Sequence, residues 1–92
     1  MSVPHLSIVQ TNMDAPSVRA NRLFAEAREA ALEQVHMVEN GLSQVINLAS
    51  EIADGGEIYP AGVRDLCRRL SEDLATRSQT LETLAQRGFD RR

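Results

Sequence analysis

Residues 24–56 read FAEAREAALEQVHMVENGLSQVINLASEIADGG, and the spacing of the apolar side chains within them decides the fold. Phe24, Ala31, Val38, Val45 and Ile52 recur every seven residues, and Val35, Leu42 and Ala49 fill the four-residue offset between them. A strand exposes alternate residues, so this pattern is helical. Its mean period of about 3.5 residues marks the seam of a coiled coil or four-helix bundle. Arg28 interrupts the stripe once, near the end of the rod, where its charged head can reach water. Leu23, Ala27, Ala30, Leu32, Met37, Ile46 and Leu48 widen the apolar face beyond what one partner helix covers.

Asn40-Gly41 in the middle of this stretch is a turn signal, and an interior Gly costs a helix about 1 kcal/mol relative to Ala. The stripe nevertheless keeps its phase from Val38 through Leu42 to Val45. One continuous helix is therefore expected over about residues 15–54, on the order of 55 Å long at 1.5 Å per residue. Asp14 or Ser17 suits its N-cap, with Pro16 tolerated in the first turn. Asp54-Gly55-Gly56 ends it, with Gly55 expected in the left-handed conformation just past the last turn.

Outward from this stretch, residues 55–59 read as a turn and Pro60 as the first position of a second helix, over about residues 60–87. Val63, Leu66, Cys67, Leu70, Leu74, Leu81, Leu84 and Ala85 give that helix its apolar side, interrupted by Arg77 and Ser78. Arg87-Gly88-Phe89 reads as its end, with Phe89 folding back on Leu84. Residues 1–13 form a leader, expected to be flexible or ordered by a partner; His5 to Thr11 has strand character but no second strand to pair with.

A connection this short forces the helices antiparallel. Folding about Glu57 and Ile58 sets Ile52 near Val63, Ala49 near Leu66, Val45 near Leu70 and Leu42 near Leu74. Further along, it sets Val35 near Leu81 and Ala31 near Leu84. The expected fold over residues 14–92 is thus an all-α, antiparallel two-helix hairpin. Two helices leave one side of each stripe wet, and isologous pairing of two chains into a four-helix bundle covers both at once. The expected interface residues are Phe24, Ala31, Val35, Val38, Leu42, Val45, Ala49, Ile52, Leu66, Leu70, Leu74, Leu81 and Leu84.

Composition bounds the function. Ninety-two residues make one small domain, and aromatic content of 3% suits helix-on-helix packing better than a sandwich or barrel. The formal net charge of −3 gives no electrostatic footprint for nucleic acid. Arg64, Arg68 and Arg69 are interleaved with Asp65, Glu72 and Asp73, as on a solvated helix face. All ten basic residues are Arg, a bias of GC-rich coding, so a bacterial source is the expectation. A single Cys67 excludes an internal disulfide and Cys-based zinc sites. No apolar run approaches the roughly 18 residues of a membrane span, and no signal peptide is recognisable, so cytoplasmic is the expectation. No Gly-rich phosphate loop or nucleophile elbow occurs, no cofactor is implied, and a thin hairpin lacks an enclosed pocket. Autonomous enzyme activity is not expected.

The polar side of the first helix carries Glu29, Glu33, His36, Asn40, Ser43, Asn47, Ser50 and Asp54. His36 lies roughly 100° from Val35 and 160° from Val38 about the helix axis, and is expected to be exposed. Glu33-x-x-His36 has the spacing of a carboxylate-bridged di-iron half-site, but it points away from the core and has no counterpart on the second helix, so no metal is expected.

The segment His36-Met37-Val38-Glu39-Asn40-Gly41-Leu42-Ser43-Gln44-Val45-Ile46-Asn47-Leu48-Ala49 resembles the phosphoacceptor helix of sensor histidine kinases of the HWE and related types. The matching positions are His36, Val38, Asn40, Leu42, Val45 and Ala49, about 14 residues in all. The resemblance implies a dimeric helical hairpin with His36 as phosphoacceptor, Asn40 beside it, and a response-regulator receiver domain as partner. Met37 and Glu39 stand where the family has basic residues, and no ATP-binding domain is expected to follow.

The function expected is therefore a non-enzymatic helical-hairpin interaction protein that self-associates and binds a protein partner as an adaptor or regulator. The first alternative is a histidine-phosphotransfer or kinase-dimerisation-like module phosphorylated on His36. The second is a structural strut in a larger assembly.

Overall fold

A computed structural model describes residues 15–90 of the chain. Two helices account for nearly all of them: α1, Pro16–Ala53, and α2, Ala61–Asp90, joined by a 3₁₀ turn at Gly56–Ile58. No strand occurs among the described residues, and the expected all-α antiparallel hairpin is what the chain forms. The leader, residues 1–13, including the stretch 5–11 with strand character, lies outside the described residues. No described helix is long and apolar enough to cross a membrane.

Helix α1 runs through Asn40-Gly41 without a break. At Gly41 a Cβ would meet no atom of the described residues within 4 Å beyond its own stretch of helix, so no packing contact there requires glycine. At the start of α1 the Arg19 amide donates to the Ala15 carbonyl at 2.8 Å, which makes Ala15 the cap position and Pro16 the first helical residue. Ser17 sits inside the helix instead of capping it, and Asp14 lies outside the described residues.

By its contacts the chain falls into two units, one ending at Ala31 and the other beginning at Leu32. In the first, none of the described residues is buried, and Val18, Leu23 and Phe24 are exposed. The Arg28 guanidinium carbon lies 5.8 Å from the centroid of the Phe24 ring, so this arginine rests on an aromatic face one turn away. That contact, in addition to open water, accommodates the one polar break in the stripe.

In the second unit the turn is built from three devices. Asp54 and Gly55 donate their amides to Ser50 and Ile52 carbonyls, closing the last turn of α1. The left-handed residue is Gly56, at φ 83°, while Gly55 keeps a right-handed φ of −81°. This corrects the expectation for Gly55. Tyr59 is extended, as a residue before proline must be, and the Arg64 amide donates to the Pro60 carbonyl at 3.0 Å. Pro60 is therefore the cap of α2, one position before the helical start expected for it. Across the turn, Arg68 donates from a guanidinium nitrogen to the Ala53 carbonyl at 2.9 Å, satisfying an orphan acceptor at the end of α1.

At its far end α2 does not stop at Arg87-Gly88-Phe89 but continues to Asp90. Phe89 is half-buried and shares a cleft with Leu32 and Ala85 instead of folding back on Leu84. A Gly late in a helix costs little when the flanking residue gains a seat against the opposite helix.

The seam follows from the burial pattern. Among the protected positions on α1 are Leu32, Val35, Glu39, Leu42, Ile46, Ala49 and Ala53, with Gly41, Ser50 and Ile52 half-buried beside them; on α2 they are Arg64, Cys67, Ser71, Leu74, Ser78, Leu81 and Ala85, with Phe89 half-buried at the end. Both sets alternate steps of three and four residues, the a and d positions of a heptad. Leu32 shares its cleft with Ala85 and Phe89, and Glu39 with Glu82, so the hairpin is centred near Pro60 and not at Glu57-Ile58. Four or five residues of register separate this from the expected pairing. The cause is the side-chain size at the turn. Small side chains at Ala49, Ala53, Cys67 and Ser71 permit close helix packing, and Ala49 and Ala53 are the most buried side chains described, whereas Leu66 and Leu70 in the same place would need more room.

Candidate functional site

The register sorts the expected interface residues into two groups. Val35, Leu42, Ala49, Leu74 and Leu81 lie in the intrachain seam, and Ile52 is half-buried at its margin. Val38, Val45, Leu66, Leu70 and Leu84 are exposed beside it, as are Phe24 and Ala31 in the first unit. The sequence periodicity gave one broad stripe; the structure splits it into a covered half and an open half.

The open half has a definite geometry. In an antiparallel helix pair the g positions of both helices flank the seam on one side, and the e positions flank it on the other. Val38, Val45 and Ile52 are g positions of α1; Val63, Leu70, Arg77 and Leu84 are those of α2. Leu48 and Gly41 on α1, and Leu66 and Asp73 on α2, widen the same side as c positions. One face of the hairpin thus carries apolar side chains from both helices. Val38, Val45, Leu48, Val63, Leu66, Leu70 and Leu84 are each between 42% and 60% exposed there. Together they present on the order of 600 Å² of apolar surface, at the upper end of what a monomer shows as its largest patch. The polar break in this face is the pair Asp73 and Arg77, whose Oδ2 and Nε lie 3.1 Å apart.

Burial elsewhere is thin. Ala49 and Ala53 are the buried hydrophobic residues among those described, and no large side chain is fully buried. Two alanines and a half-covered seam are a weak core for a folded chain of this size, which is marginal even when well packed.

The opposite, e-position side carries His36. The imidazole is exposed, as expected, and lines a shallow cleft of about 290 Å³. Leu32, Ala85 and Phe89 give the cleft its apolar lining, and Glu39, Glu82, Gln86 and Asp90 line it with polar groups. The heptad register brings Glu82, Phe89 and Asp90 to His36. Sequence reading missed them because it placed α2 several residues out of register; the serines Ser71 and Ser78, spaced as seam residues, were the available signal. Asn40 is exposed on α1 and does not line the cleft. Glu33 does not line it either, and no cluster of His, Cys, Asp or Glu suited to a metal ion occurs among the described residues. Cys67 is half-buried in the seam with a free thiol.

Compared with protein-family models, curated proteins and solved structures, the chain matches none. The functional reading rests on the two faces of the hairpin.

Proposed function

We propose that this chain is a non-enzymatic interaction protein, in which two hairpins pair through their open apolar faces into a four-helix bundle that binds a protein partner as an adaptor or regulator. One observation carries the reading: seven exposed apolar side chains of α1 and α2, from Val38 to Leu84, gather on one side of the hairpin, while Ala49 and Ala53 are the buried hydrophobic residues among those described. Pairing through that face removes up to roughly 600 Å² of apolar surface per copy from water, at the lower limit of the ~600–1,000 Å² per partner of standard stable interfaces. At about 25 cal/mol per Å², it supplies folding free energy that the lone hairpin lacks. The exposed Val18, Leu23 and Phe24 of the first unit offer apolar anchors for a partner helix or groove. Size-exclusion chromatography with light scattering tests the pairing: a dimer is expected at micromolar concentration, and a stably folded monomer removes the proposal. Pull-downs with and without residues 1–13 then report whether the leader adds to partner recognition.

A second reading is favoured by the exposure of His36 on the side away from the pairing face. There it stays accessible in the assembled bundle to a receiver domain carrying an aspartyl phosphate. Glu39, Glu82 and Asp90 around the cleft weigh against it, because carboxylates repel an incoming phosphoryl group. Incubation with a phosphorylated receiver protein decides this reading. Label on the wild type that vanishes in His36→Gln supports phosphotransfer, and an unlabelled wild type removes it.

A further inference from the structure

We infer that the second copy lies antiparallel on the open face, its turn at the opposite end, with the twofold axis crossing α1 at Val45 and α2 midway between Asp73 and Arg77. This rests on the self-association proposed above and adds the arrangement.

Two isologous arrangements are available to a pair of hairpins packed face to face. If the axis runs along the helices, the turns share one end and α1 of each copy lies over α2 of the other. If the axis runs across the helices, the turns lie at opposite ends, and α1 lies over α1 and α2 over α2. The charged pair in the face separates them. Asp73 and Arg77 are four residues apart on α2, and their levels along the hairpin correspond to the stretch of α1 around Gly41 to Leu48. With turns at the same end, both charges are pressed onto that apolar stretch of the second copy with no new partner. Covering a charge in this way is costly.

With turns at opposite ends, an axis midway between Asp73 and Arg77 sets each arginine against the aspartate of the second copy. Two ion pairs become a closed network of four charges. The same axis gives apolar partners to Leu66, Leu84, Val38, Val45 and Ile52 on the face, while Val63 and Leu70 fall opposite Arg87 and Thr80. On α2 it places Leu66 of one copy opposite Leu84 of the other. On α1 it places Val38 opposite Ile52, and Val45 opposite itself. Gly41 and Leu48 are also equidistant from Val45 to within a residue, so each Leu48 lies over the Gly41 of the other copy. That gives the glycine a reason the single chain does not: a Cβ at Gly41 meets nothing within 4 Å among the described residues beyond its own stretch of helix, yet the residue carries the helix penalty of glycine. The α1 and α2 midpoints, Val45 and Ala75, agree to within one residue with the register set by the Leu32–Phe89 cleft. The two helices therefore place the axis at one level independently.

Cysteine cross-linking tests the arrangement. In a Cys67→Ala background, Val45→Cys is expected to form a disulfide-linked dimer under mild oxidation, while Met37→Cys, exposed on the outer side of α1, stays unlinked. Arg77→Glu is expected to raise the dimer Kd at least tenfold, and the exchange of both charges in Asp73→Arg/Arg77→Asp to return it to within threefold of the wild type. Circular dichroism establishes that each variant remains helical. A dimer that fails to cross-link through Val45→Cys, or that is indifferent to Arg77→Glu, overturns the antiparallel arrangement and leaves self-association standing. A wild type that is monomeric removes both.

Discussion

The ring of Tyr59 occupies the space into which any side chain on Gly55 would grow. A Cβ there would lie 2.5 Å from Cε2 and 2.7 Å from Cδ2 of the ring, with the Glu51 carbonyl oxygen 3.1 Å away. The backbone of Gly55 is in an ordinary right-handed conformation, so the constraint is steric and not torsional. Gly55→Ala is expected to destabilise the protein by about 1–3 kcal/mol, the usual cost of overpacking. Urea unfolding at fixed protein concentration measures it. Tyr59→Ala costs some stability itself, but in the double variant the alanine at residue 55 should add almost nothing.

Gly56 is required for the other reason. Its φ of 83° lies where L side chains are strained, and no atom of the chain stands within 4 Å of a Cβ there. Gly56→Ala should cost about 1–2 kcal/mol, and Gly56→Asn less, because asparagine tolerates the left-handed region better. Tyr59→Ala should leave the Gly56→Ala penalty unchanged. Equal rescue of both glycines would show that the turn rearranges as a unit.

Arg68 spans the turn to the Ala53 carbonyl at 2.9 Å and approaches the Asp54 carboxylate at 3.9 Å. The first contact satisfies a helix-end acceptor; the second is a long pair between exposed groups. Exposed pairs of this kind contribute about 0–1 kcal/mol, whereas a hydrogen bond is worth about 0.5–1.5 kcal/mol. Arg68→Ala should therefore lower stability by roughly 1 kcal/mol, and Asp54→Asn by only a few tenths. A larger loss in Asp54→Asn would reverse the assignment.

The seven-residue repeat was enough to read the all-α hairpin, the continuity of α1 through Gly41 and the exposure of His36. Each depends on the phase of a long pattern, which local residues cannot easily overturn. Register was not legible in the same way. Bulky Leu66, Leu70 and Leu84 have the stronger hydrophobic signal, yet Cys67, Ser71 and Ser78 occupy the seam, because close helix approach selects for small side chains. The carboxylates facing His36 were hidden by the same error, since they arrive only once α2 is set against α1 correctly. The exchange of roles between Gly55 and Gly56 turns on a ring stacked from four residues away, which no pairwise turn rule contains.

Close approach at the seam has its own test. Ala49 and Ala53 are 6% and 5% exposed, the most protected side chains described. Ala49→Leu adds apolar volume but no space to hold it, and should destabilise by about 1–3 kcal/mol despite better burial potential. Met37→Ser, at an exposed position on the outer side of α1, should fall within about 0.5 kcal/mol of the wild type. If Ala49→Leu were neutral or stabilising, the helices would not be held close by small residues, and the register argued from them would lose its cause.

Gly41→Leu separates the needs of the single chain from those of the pair. Within one hairpin the substitution removes a helix penalty of about 0.8–1 kcal/mol, and the new Cβ meets no neighbouring atom within 4 Å. Under conditions dilute enough to keep the chain monomeric, helix content at a given temperature should rise. In the proposed antiparallel dimer the new side chain would lie where Leu48 of the second copy packs, so the dissociation constant should increase even as the monomer gains helicity. Analytical ultracentrifugation and circular dichroism on one sample read the two effects with opposite signs. A variant that is both more helical and more tightly dimeric would show that Gly41 lies outside the pairing face, and the axis through Val45 would have to move.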